Sequence, residues 1–230
     1  LSATWSQVRD DYRFSQQMWS EAGSDPAAIG TFGWGTGIWG LADANIVLGL
    51  DGAHPDVVNV YNGVLDQIHW ADKRYIDTWS STWGAQDLAP FFADDASQYQ
   101  DNYAVRFSGF IAITDPGLYN FGVLYDDGFV FNLYGQGSSL NLIKDGLNPR
   151  DRLGFDQDLN LGAGLYRFDL IAWERLEAGV ADLSWIRPGG DWTTIPQSHL
   201  FTAYVPEPAS VALMLAGLGL LGWRRLKAAK

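Results

Sequence analysis

The run Leu118–Gly135, LYNFGVLYDDGFVFNLYG, restricts the folding of this chain more than any other stretch. Nearly every position is β-branched, aromatic or otherwise apolar, and turn-forming residues bound it: Asp115-Pro116-Gly117 before, Gly135 and Gly137 at its end. It reads as two short strands around an Asp126-Asp127-Gly128 corner, a hairpin. With Asp127-Gly128 in the turn, Leu124 is expected opposite Phe131 and Gly122 opposite Leu133, with Phe121, Val123, Tyr125, Val130 and Tyr134 on the other face. Both faces are then apolar, so the pair belongs in the interior of a sandwich with other parts of the chain over it. The corner admits two readings. Asp-Gly is the commonest hairpin signal, and adjacent carboxylates at the end of a rigid strand pair also suit a hard cation such as calcium.

The rest of the chain points the same way. Glycine (26 residues) and aromatics (14%, with 11 Trp) are abundant, which favours short strands and turns over helices. A mainly β chain, an antiparallel sandwich with an N-terminal helical or extended segment and a single C-terminal hydrophobic helix, is expected. Residues 1–25 carry helical spacing, with Trp5, Val8, Tyr12 and Trp19 near one stripe. Residues 26–52 are rich in Gly and Trp, and Asn45–Leu50 reads as a strand. Pro55–Trp70 fits strand or helix equally, and 72–101 reads as an irregular connection. Tyr103–Thr114, Leu161–Trp173 and Ala181–Arg187 read as strands, 136–158 as a loop-rich crossover, and Thr193–Phe201 as an edge segment that tolerates Pro196. The expected divisions are an N-terminal extension (1–62) packing on the sandwich or a neighbour, the sandwich (63–204), and a C-terminal tail (205–230).

The formal net charge is −12, and Arg224, Arg225, Lys227 and Lys230 account for four of the 15 basic residues. The remainder has no basic surface for nucleic acid. With no cysteine, disulfides, thiolate metal sites and a Cys nucleophile are excluded. His54, His69 and His199 sit in unlike segments and in no metal or nucleophile motif. The pairs Asp10-Asp11, Asp94-Asp95 and Asp126-Asp127 are adjacent in sequence, whereas a glycosidase needs carboxyls opposed across a sugar ring. No enzyme is expected. Trp79, Trp83 and Trp192 are the candidates for exposed aromatics that stack on sugars or anchor a protein contact.

Phe107–Phe110, Tyr119–Gly128, Gly164–Tyr166 and Leu183–Trp185 together resemble the protective-antigen-type β-sandwich, the PA domain of toxins, glycosidases, adhesins and flocculins, over Val64–Phe201. The resemblance implies that Asp126 and Asp127, joined by a cis peptide, chelate calcium, which in lectin-like members grips sugar hydroxyls. It also implies ligands from a second loop; the corresponding turn here is Trp173–Glu177, without the family's Asn, so Glu174 and Glu177 are the candidates. Tyr125, Gly128, Trp79 and Trp83 complete the expected ligand-binding set.

The tail carries Pro206-Glu207-Pro208, an apolar run from Ala209 to Trp223, and the basic residues Arg224, Arg225 and Lys227. This order resembles the PEP-CTERM sorting signal. Spanning a bilayer takes about 20 apolar residues. This shorter run suits transient lodging in the inner membrane with its basic end on the cytoplasmic side. The resemblance implies export, with exosortase as the processing partner. The expected function is adhesion through calcium-assisted glycan binding at the surface or in the extracellular matrix. The alternative is a structural subunit of a filament or floc that self-associates through the N-terminal segment.

Overall fold

The computed structural model describes residues 1–12, 36–79, 84–95, 100–154 and 158–203. Trp19, Trp34, Trp83 and the sorting signal, with Pro206, Glu207, Pro208, Arg224 and Arg225, lie outside the described residues.

Twelve strands, two α-helices and one short 3-10 helix (Gln197–His199) make up the described fold. In chain order the strands and α-helices are β1 (Ser2–Val8), α1 (Leu41–Gly49), β2 (Val57–Val64), β3 (His69–Ala71), α2 (Lys73–Thr78), β4 (Asp87–Leu88), β5 (Tyr103–Ile113), β6 (Gly117–Gly135) and β7 (Ser138–Gly154). Then follow β8 (Leu159–Leu161), β9 (Gly164–Glu174), β10 (Val180–Ile186), β11 (Thr193–Thr194) and β12 (Leu200–Phe201). The sheet runs β2-β1-β5-β9-β6-β10-β3-β4, and β7 follows β6.

The central stretch is one 19-residue strand, β6, and not a hairpin. Its first half pairs with β10, from Asn120↔Ile186 to Asp126↔Val180. Its second half pairs with β9, from Gly128↔Trp173 to Tyr134↔Arg167. The expected pairs Leu124/Phe131 and Gly122/Leu133 therefore do not form. Between the halves the strand bends sharply. The rings of Phe121 and Phe131 lie 5.6 Å apart and those of Tyr125 and Phe129 4.8 Å apart, although ten residues of straight strand would span about 33 Å. The two halves thus face each other across the core, each in its own leaf of a curled sheet. The true hairpin is β6–β7, turned by Gln136 and Gly137, both with positive φ (50° and 78°), as a two-residue primed turn demands. The segment read as a loop-rich crossover is hence strand β7.

The core between the leaves holds Trp5, Phe107, Phe121, Phe131, Phe168 and Trp185. Each such buried aromatic contributes on the order of 2–3 kcal/mol. The outer apolar face is covered as well. Leu124 lies under α2 with Tyr75 and Ala178, while Val130, Ile171 and Trp173 lie under α1 with Ala44 and Val47. This explains why β6 lacks polar alternation.

Two further expectations are corrected. Ser2–Val8 is a strand between β2 and β5 and not a helix, because Leu1, Ala3 and Trp5 alternate into the core. Leu41–Gly49 is a helix where Asn45–Leu50 reads as a strand, since Ala44, Val47 and Leu48, spaced at three to four residues, face one cluster.

Gly128 marks the bend. A Cβ there would overlap the Trp173 ring and press on the Lys144 carbonyl. Gly128→Ala is expected to lower stability by about 1–3 kcal/mol through overpacking. Gly49→Ala, at the end of α1 with open space around the new methyl, should leave it unchanged or raise it by up to about 1 kcal/mol. Urea denaturation of both variants checks this.

Candidate functional site

The bend of β6 opens onto a surface hollow of about 420 Å³ lined by Asp126, Asp127, Asn148, Glu177, Trp79 and Leu176 among others. Four elements build it. The corner of β6 supplies the two aspartates, β7 brings Asn148 into register with Asp127, Trp79 caps the C-terminus of α2, and the loop 175–179 between β9 and β10 supplies the far wall. The ladder shifts register on both sides of Asp127, which frees polar groups at the corner for other partners. The Asp126–Asp127 peptide bond is cis.

Three carboxylates, Asp72 and Asp101 buried and Asp127 partly so, hold the loop by alternate backbone N–H groups. Arg175 N–H donates to Asp127 Oδ2 (2.9 Å), Glu177 N–H to Asp101 Oδ1 (3.1 Å), and Gly179 N–H to Asp72 Oδ2 (2.7 Å). Asp72 also caps α2 by accepting from Tyr75 N–H at 2.7 Å. Burial pushes the Asp127 carboxyl up to about 6 against the pull of the Arg175 N–H. It pushes Asp72 up to about 6, and burial with the Asp10 charge pushes Asp101 up to about 7. Glu174, fully buried behind the loop, is raised well above its usual value by burial and then by the charges of Asp127 and Asp101. Neither of its carboxyl oxygens has a hydrogen-bond partner among the described residues.

The expected site residues separate into two groups. Asp126, Asp127, Glu177 and Trp79 come together in the hollow. Tyr125 is buried against Phe129 in the core, Gly128 packs under Trp173, and Glu174 lies beneath the surface; Trp83 is outside the described residues. Asn148 is the member that sequence reasoning missed. It stands next to Pro149, which suggests only a turn, and its position opposite Asp127 depends on β7 being a strand. Its Nδ2 donates to the Asp145 carbonyl (2.7 Å), which leaves its amide oxygen as an acceptor.

The donor chemistry suits a hard cation. Asp126, Asp127, Glu177 and Asn148 offer oxygens of the kind calcium takes, and the carboxylates beneath them are short of compensating positive charge. The Arg175 charge offsets only part of the burial penalty on Asp127. The Arg175 guanidinium stacks 4.3 Å from the Trp39 ring centroid and its Nε donates to the Thr36 carbonyl at 3.2 Å. Among the described residues no group of three or more His, Cys, Asp or Glu side chains is placed to hold a metal ion. A cation at the corner therefore needs the Asn148 amide or backbone oxygens as well.

Away from the hollow, His69 Nδ1 and Ser184 Oγ both contact the Asp182 carboxylate (2.8 and 2.7 Å). In a nucleophile triad the imidazole stands between hydroxyl and acid. Here the acid stands between the other two, and the group ties β3 to β10.

Residues 205–226 match the PEP-CTERM protein-sorting motif. No curated protein matches the chain. Among solved structures the chain is similar to the PA14 domain of the MpAFP antifreeze protein, at 11% identity and a TM-score of 0.52, over 90% of this chain and 92% of that one. It is similar also to the A domain of Epithelial Adhesin 6 from Candida glabrata, solved in complex with Galb1-3GlcNAc, at 12% identity and a TM-score of 0.49, over 90% and 88%. A third likeness is to an anti-sigma factor domain-containing protein from Clostridium clariflavum, at 23% identity and a TM-score of 0.46, over 64% of this chain; the chain spans 44% of that protein's length. The fold is thus a mainly β sandwich similar to PA14 domains, and the likeness is not specifically to protective antigen.

Proposed function

We propose that this chain is an exported, non-catalytic surface or matrix protein that binds glycans with the help of calcium at the corner of β6. The observation that carries the reading is the hollow itself. It unites two adjacent carboxylates, a third acid and an amide oxygen with the half-buried Trp79. Asp126 and Asp127 would hold the ion, supported by Asn148 and Glu177, and Trp79 would stack on an apolar sugar face. Bound calcium would supply open coordination positions for vicinal sugar hydroxyls. The sorting motif at 205–226 supports export with exosortase processing, and transient residence in the inner membrane is part of the proposal. The A domain of the Candida adhesin shares only the fold at this level of identity, so the reading rests on the residues of this hollow.

A second reading, self-association into a surface assembly, is favoured by one observation. Among the described strands β2 is an edge, with Val58, Val60 and Val64 at least half exposed, and its eight residues carry no charge in a chain of net charge −12. Such an edge is a template for pairing with a second copy.

Millimolar calcium should raise the thermal midpoint by several degrees, because an ion bound only by the native state stabilises it. Asp126→Asn/Asp127→Asn should abolish that shift, together with chelator-sensitive binding on a glycan array; glycan binding unchanged by both chelator and the double variant would sink the calcium reading. In chelator, stability should fall as pH rises from 5 to 8. The folded-state values of Asp72, Asp101 and Asp127 lie above their ordinary 3.8, so the folded form binds more protons between about pH 4 and 7. Calcium should then stabilise more at pH 8 than at pH 5, and Asp101→Asn should flatten the chelated profile; melting curves across pH read this directly. For the second reading, Val60→Lys on β2 should shift any concentration-dependent oligomer seen by sedimentation to monomer.

A further inference from the structure

The outer face of the β5-β9-β6 leaf carries a second hollow, of about 610 Å³, that the corner site does not use. Leu41 and Asn45 of α1 bound it on one side, and Arg106, Asn132, Tyr134, Arg167 and Asp169 project from the strands. The two hollows share no residue. On the β6–β9 ladder the pair Tyr134↔Arg167 lies six residues from Gly128↔Trp173, about 20 Å along the strand.

The side chains form a graded surface. Arg106 gives both Nε and Nη2 to Asp169 Oδ2 (2.8 and 2.5 Å), so its charge is compensated inside the hollow. Arg167, directly across the ladder from Tyr134, is exposed and has no hydrogen bond or ion pair among the described residues. It leaves one uncompensated positive charge in a chain of net charge −12. Tyr134 beside it is 49% exposed. Asn132 accepts from Asn141 Nδ2 at 2.7 Å through its oxygen, which leaves its own amide N–H groups to donate. Asp169 Oδ1, away from Arg106, remains an acceptor.

We propose that this face is a second, calcium-independent binding site for a carboxylated glycan, a uronic acid oligosaccharide. Arg167 presents a planar fork that matches a carboxylate with two parallel hydrogen bonds. The Tyr134 ring next to it takes the C–H face of the sugar. The Asn132 amide donates to ring hydroxyls and Asp169 accepts from them. An acidic peptide would satisfy Arg167 alone. The mixture of donors and acceptors around a half-exposed ring fits a polyhydroxylated ring instead. The site answers to charge and hydroxyl pattern, and the corner hollow answers to the ion.

The test is calorimetry on the full chain in excess chelator with tetragalacturonate, neutral galactotetraose and tetraglutamate as probes. Tetragalacturonate is expected to bind at least tenfold more tightly than the other two. Arg167→Gln should weaken it at least tenfold and Tyr134→Ala severalfold, with thermal melts showing both variants folded. Lys73→Gln, which removes the same charge from α2, should leave binding unchanged. The proposal is overturned if tetragalacturonate does not bind under chelator, if Arg167→Gln binds it as well as the parent does, or if tetraglutamate binds equally well. Because chelator is present throughout, these outcomes are independent of whether the corner holds calcium.

Discussion

The molecule depends on one strand serving two leaves. β6 gives its first half to β10 and its second to β9, so its inward rings meet across the core while Leu124 and Val130 on the outside are roofed by α2 and α1. Apart from the acidic corner, the strand has no wet face between Phe121 and Phe131, whereas Leu118 and Tyr134 near its ends are exposed. A polar side chain at any of these points would be buried without a partner at about 1–3 kcal/mol, and the aromatic and aliphatic composition of Leu118–Gly135 follows. Gly128 permits the bend because Trp173 occupies the space a side chain would need. The Trp173 Nε1–H then reaches the Gly146 carbonyl (3.2 Å) on β7, so the corner is locked from the outside as well.

The bend has an electrostatic consequence. Where the ladder breaks, backbone donors of the neighbouring loop need acceptors, and Asp127, Asp101 and Asp72 provide them at alternate residues. This arrangement satisfies three backbone donors of the loop and gathers Asp127, Asp101, Asp72 and Glu174 in a largely desolvated place. Their raised proton affinities are the physical expression of that crowding. A cation at Asp126 and Asp127 would relieve it, which ties the structural role of these residues to the binding role proposed for the hollow above them.

Much of the architecture was legible from alternation and turn chemistry. The strands at Tyr103–Ile113, Gly164–Glu174 and Val180–Ile186 lie where period-two patterning puts them, because their inward residues are large and the intervening ones are smaller or polar. The errors came where local pattern and tertiary context disagree. The stripe of Trp5 and Val8 fits a helix equally well, and only the free edge of β5 decides that Ser2–Val8 pairs as a strand. Lys144-Asp145-Gly146 and Asn148-Pro149 read as turns, yet β7 runs through them with irregular register, carried along by the bend of its partner. Of the residues lining the hollow, the two aspartates and Trp79 were singled out from the sequence and Glu177 from the resemblance. Asn148 was not, since its place depends on that unsuspected strand.

By itself the sequence determined that the chain is a β protein with a doubly apolar central segment, an acidic corner and a sorting motif, because periodicity, turn residues and motif order are local properties. The tertiary structure decided that the central segment is a corner between leaves and not a hairpin within one. It decided also which acids share a hollow and which are sealed beneath it. Those outcomes rest on contacts between residues tens of positions apart, such as Arg175 with Asp127 and Gly179 with Asp72, whose energies no local pattern encodes.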